Sequence, residues 1–135
     1  MSITSVILRF LAIYPALLIG AGFLLNAFDI KSGSGLNIGI LAASVMLVCS
    51  SFAKKNNRYF SSGEKAVVIS AMIAINLVLQ LFFGWAAIAN SQNQAVSFSV
   101  LWGSILLVGT LHSIAIAVFV SLVKRGLVKK GVVPG

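Results

Sequence analysis

Residues 54–65 read KKNNRYFSSGEK, the longest polar interruption between the first and last apolar runs of the chain. The stretch separates two apolar halves of similar length and carries Lys54, Lys55, Arg58 and Lys65 against a single acid, Glu64. Everything on either side of it is apolar enough for lipid, so this loop sets how the protein sits in a membrane.

Composition agrees. The 135 residues are 59% hydrophobic and 9% charged, against roughly 45–50% and about 25% in soluble domains. A soluble domain of this size keeps most side chains near its boundary and could not hide so much apolar surface. A bilayer removes that difficulty. The formal charge of +8 would suggest nucleic acid if it were spread over a soluble face. Here the basic residues sit at the ends of apolar runs, which points to anionic lipid head groups and topology, and no nucleic-acid partner is expected. The one cysteine, Cys49, excludes an intrachain disulfide, a CxxC pair and a cysteine-only zinc site within one chain.

Outward from the central loop, the pattern predicts an all-α integral membrane protein of one domain, with helices at about 36–53 and 66–89 and, beyond them, about 6–28 and 98–123. These make two antiparallel hairpins, joined by loop 54–65 and followed by a basic tail at 124–135. Arg9 lies inside rather than ahead of the first apolar run and no A-x-A site follows, so the run reads as an uncleaved helix. Pro15 should kink it. Ser62 is placed to cap the third helix, with Glu64 at the positive end of its dipole.

Orientation follows from the charges. Arg9, the four cations of the loop, and Lys124, Arg125, Lys129 and Lys130 fall at one end, whereas the turn Asp29–Gly35 has only Lys31 and the turn 90–97 has none. Both termini and the central loop should therefore face the cytoplasm. Trp85 and Trp102 flank the uncharged turn, where an outer aromatic belt is expected.

Small residues recur every fourth position at Ala12, Ala16 and Gly20, and again at Gly35, Gly39 and Ala43. Such stripes let helix backbones approach closely, and they predict a tight first hairpin or docking of a partner helix. A similar stripe on the last helix includes Gly103, Thr110, Ser113 and Ser121.

Candidate chemistry is sparse. Asn76 and Gln80 share a face near the middle of the third helix, and His112 lies near the middle of the fourth. Polar groups at the bilayer centre are costly without partners. They form either an interhelical hydrogen-bond clamp or a polar site for a solute, a proton or a lipid group. A second candidate is an outer docking turn of Asn26, Asp29, Lys31 and Asn37, read otherwise as ordinary solvation. The only acids are Asp29 and Glu64, both at helix ends. No Ser/His/Asp set, metal cluster or phosphate-binding glycine loop is visible, so neither an enzyme nor a metal or other cofactor is expected.

The entry Ser32-Gly33-Ser34-Gly35-Leu36-Asn37-Ile38, with the basic loop and Glu64 ahead of the third helix, resembles a loose, largely uncharacterised group of small four-span bacterial inner-membrane proteins. The resemblance implies architecture and a bacterial cytoplasmic membrane, and carries over no catalytic residue. The layout is also similar to membrane immunity proteins that protect bacteria from pore-forming toxins, which implies a protein partner. The start Leu8-Arg9-Phe10 resembles small four-span flippase-like proteins, whose basic-aromatic ending after the second span is missing here. The expectation is thus a non-enzymatic protein that binds a partner within or at the membrane, as an immunity or accessory subunit. The alternative is a small oligomeric transporter, flippase or channel component with a path along Asn76, Gln80 and His112.

Overall fold

The computed structural model describes residues 1–29, 34–90 and 98–134. It is all-α: α1 (Ile3–Ala27), α2 (Ser34–Asn56), α3 (Ser62–Asn90) and α4 (Phe98–Lys129). Each helix holds a stretch long and apolar enough to cross a membrane. α1 runs on through Pro15.

α1 packs on α2 and α3, and α4 packs on the same two, so α1/α4 and α2/α3 lie on the diagonals of the bundle. Both hairpins are present, but the loop between them has to cross a diagonal. That crossing carries Tyr59 and Phe60 beneath the bundle. Phe60 stacks on Phe52 with centroids 4.3 Å apart, and the Arg58 guanidinium lies over the Phe52 ring, 5.5 Å from its centroid. The Tyr59 hydroxyl donates to the Val120 carbonyl at 2.6 Å. Burial pushes the Tyr59 phenol above its usual range, so it stays a donor. The Met1 ammonium donates to Asn56 Oδ1 and Asn56 Nδ2 returns a bond to the Met1 carbonyl. Lys65 Nζ reaches Ser121 Oγ across to α4 at 2.9 Å. The end that holds the chain termini is therefore closed, and it also carries Lys54, Lys55, Arg58, Lys124, Arg125, Lys129 and Lys130.

The central loop is built by its own residues. Asn57 takes φ 51° just after α2, a conformation Asn tolerates better than most residues. Ser61 Oγ accepts from the Glu64 amide and Glu64 Oε2 accepts from the Ser61 amide. This reciprocal capping box makes Ser61 the N-cap, rather than Ser62. Arg58 grips both oxygens of Glu64 at 2.6 and 2.8 Å, and that hydrogen bond holds its guanidinium above the usual value.

Two further expectations are corrected. First, residues from 124 onward are not a free tail, because α4 stays helical to Lys129. Gly131 at φ 68° then turns the chain. The Val132 amide bonds the Leu127 carbonyl and the Gly131 amide bonds that of Val128, a Schellman closure. Val123, Leu127 and Val133 are buried while the cations between them stay outside. Second, the small-residue stripes do not join the first hairpin. Ala12, Ala16, Gly20, Gly35, Gly39 and Ala43 are exposed, as is Gly103, and a Cβ at any of those glycines meets nothing within 4 Å. The close approach lies elsewhere, at Gly109, where a Cβ would come 2.8 Å from Leu77 Cδ2. Thr110, Ser113 and Ser121 each donate back to their own helix; of the three, Ser121 also links helices, by accepting from Lys65 Nζ of α3.

Candidate functional site

The packing is uneven along the bundle. The core runs through Phe10, Leu41, Val45, Phe52, Met72, Ile116 and Val120, all in the half nearer the basic end. Among the described side chains, α1 buries none beyond Tyr14, α2 none before Leu41 and α3 none beyond Asn76. The other half of the bundle encloses a cavity of about 530 Å³. Gly22 of α1 and Gly84 of α3 line it, and neither contributes a side chain to fill the space. Leu18, Leu79 and Ile105 give it a mainly apolar wall, and Tyr14, Asn37, Gln80, Ser104 and His112 supply polar groups. The wall also includes Ile19, 63% exposed, and Phe83, 40% exposed, so the space opens to the outside of the bundle.

At the inner edge of this cavity, the Tyr14 hydroxyl donates to Asn76 Oδ1 at 3.0 Å and ties α1 to α3. Asn76 is fully buried, and its Nδ2 has no hydrogen-bond partner among the described residues. Gln80, one turn further along α3 on the cavity wall, has neither its Nε2 nor its Oε1 paired, and both atoms are buried. His112 is 7% exposed, and its Nδ1 lies 2.8 Å from the Val108 carbonyl. A carbonyl only accepts, so Nδ1 carries the proton in that contact and Nε2 of the neutral ring is an acceptor.

The three polar residues singled out by sequence therefore do not form a clamp with one another. The interhelical bond is Tyr14 to Asn76, and Gln80 and His112 face a cavity. Tyr14 was missed because tyrosine in an apolar run passes for an apolar residue. Its depth, far from either end of α1, was the available signal. Within the proposed docking turn, Asn26 and Asp29 are exposed, with Asp29 at φ 51° after α1. Asn37 is exposed as well and also lines the cavity wall, and Lys31 lies outside the described residues. Cys49 is buried in the core. Among the described residues, no three of His, Cys, Asp and Glu converge as a metal site would require.

No family model, no curated protein and no solved structure matches the chain.

Proposed function

We propose that this is a non-enzymatic, multi-pass binding protein of a bacterial inner membrane, which holds a partner in the cavity that residues of all four helices line. Gln80 carries the reading. A buried amide with both polar atoms unpaired costs stability, of order 1–3 kcal/mol for each group left unmet. An apolar residue there would remove the cost, so the amide is explained by something that binds it. The sealed basic end supports binding over conduction, since the cavity has a closed floor.

The clustering of nine of the 10 basic residues at the closed end supports placing that end, with both termini, in the cytoplasm, where it meets anionic lipid. The cavity then lies in the outer half of the bilayer. An immunity protein against a membrane-acting toxin, or an accessory subunit, is the role such a binder would fill. The small residues on the outside of α1 and α2 leave room for a partner helix or a second copy of the chain.

Mild-detergent affinity purification of the tagged protein, with mass spectrometry and a mass for the intact complex, tests this directly. A stoichiometric foreign partner is the expected result. One observation favours a second reading, a small oligomeric transporter, flippase or channel component: Gln80 and His112 line the same space. A homo-oligomer without a partner, and solute flux lost in a stable Gln80→Leu/His112→Ala double variant, would replace the binding reading with transport.

A further inference from the structure

We infer that the cavity takes an uncharged lipid alcohol, with the hydroxyl at Gln80 and His112 and the hydrocarbon along the apolar wall. This rests on the binding-protein reading above. Among the described residues the wall carries no Lys, Arg, Asp or Glu, so a charged head group would be buried there without a counter-charge, which is strongly unfavourable. The head group is therefore neutral.

The hydrogen-bonding inventory narrows it further. Gln80 presents an unpaired acceptor, Oε1, and an unpaired donor, Nε2. His112 commits Nδ1 to the Val108 carbonyl, and in that tautomer Nε2 is a second acceptor. Two acceptors call for a ligand that donates. A head group with carbonyls alone, such as a quinone or a fully esterified glycerol, can take the proton of Gln80 Nε2 but leaves Gln80 Oε1 unmet. A hydroxyl donates to either acceptor, and a neighbouring ester carbonyl takes the amide proton. A diacylglycerol offers both groups, and a long-chain prenyl alcohol offers the hydroxyl. The apolar remainder of the wall and the opening past Ile19 and Phe83 suit an acyl or isoprenoid chain entering from the side.

The test uses the full-length protein in phosphatidylcholine nanodiscs, titrated separately with dioleoylglycerol, a long-chain prenyl alcohol, the acetate ester of dioleoylglycerol, and phosphatidic acid. Saturable binding of at least one alcohol is expected, and which of the two binds identifies the source. The acetate and the phosphatidic acid should bind more weakly by roughly tenfold or more, the size of one lost hydrogen bond or an uncompensated charge. Gln80→Leu should weaken the alcohol by roughly tenfold as well, without unfolding the protein, because it removes unpaired polar atoms rather than a contact. Equal binding of alcohol and acetate, an indifferent Gln80→Leu variant, or no binding of either alcohol would overturn the assignment. Gly22→Trp separates the two levels of the argument, since it adds bulk where a Cβ meets nothing within 4 Å. If some other molecule co-purifies and Gly22→Trp displaces it, the lipid-alcohol assignment fails and the binding cavity stands. If Gly22→Trp changes nothing that the protein holds, both fail.

Discussion

At the scale of single residues, stability and binding pull apart at Gln80. Its amide has no partner among the described residues, so Gln80→Leu should leave the thermal midpoint in detergent unchanged or raise it while ligand binding falls. A clear loss of stability would mean that the amide is bonded within the protein. Tyr14 and Asn76 behave in the opposite way. Tyr14→Phe strips a fully buried Asn76 of the one side-chain hydrogen bond it makes among the described residues, and should cost about 0.6–2 kcal/mol, the range for interhelical bonds in membranes. A midpoint equal to wild type would show the bond to be dispensable. Gly109 is the tight contact between α3 and α4. Gly109→Ala meets two side-chain tips, Leu77 Cδ2 at 2.8 Å and Gln80 Oε1 at 3.5 Å, which can turn aside, whereas Gly109→Leu must spread the helices and should cost about 1–3 kcal/mol. Comparing the two variants by thermal unfolding distinguishes a backbone contact from a loose one. The polar residues Gln80 and His112 were visible in the sequence because they interrupt apolar runs. Gly109 was not, since a glycine beside lipid and a glycine beside another helix look alike.

At the scale of elements, the start of α3 is a self-contained device. The hydroxyl and amide of Ser61 exchange bonds with Glu64, and Arg58 closes the group from the loop. Ser61→Ala should cost about 1 kcal/mol, as N-cap losses do. Glu64→Gln keeps the capping geometry and removes only an exposed ion pair, so it should cost less, within about 0–1 kcal/mol. Equal costs would mean that the ion pair, rather than the cap, sets the helix start. The S-x-x-E spacing from Ser61 to Glu64 was legible in the sequence. Two adjacent serines hid which of them leaves the helix. α4 teaches a related lesson. Its charges suggest a tail, but Val123 and Leu127 fall on one side of it and, with Val133 beyond the closing turn, pack on the core, so the helix outlasts its apolar run.

At the scale of the whole molecule, the diagonal loop closes one end of the bundle and leaves space at the other. Phe60 is the centre of that closure, stacked on Phe52 and edge-on to Tyr59. Phe60→Ala should destabilise by about 3–5 kcal/mol, the usual cost of deleting a buried aromatic. Unfolding in detergent measures it, and a cost under about 1 kcal/mol would mean that the loop merely lies beneath the bundle. Reporter fusions to the C-terminus address orientation, with the expectation of a cytoplasmic signal. A periplasmic signal would put the basic end and the cavity on the opposite faces from those proposed.

The sequence by itself determined the helices, the loops and the gathering of charge at one end. Crossing a bilayer demands about 20 apolar residues per helix, with the backbone bonded internally, and these demands are written along the chain. Only the tertiary structure decided which faces turn inward. In a soluble bundle the buried face is the apolar one, but here lipid is as apolar as the core, so hydrophobicity does not mark the inside. For that reason the small-residue stripes on α1 and α2 could be read as a seam and yet lie outside. The cavity was equally hidden. It arises where Gly22 and Gly84 leave space on facing helices, and that juxtaposition depends on the rotation of each helix, which local sequence does not specify.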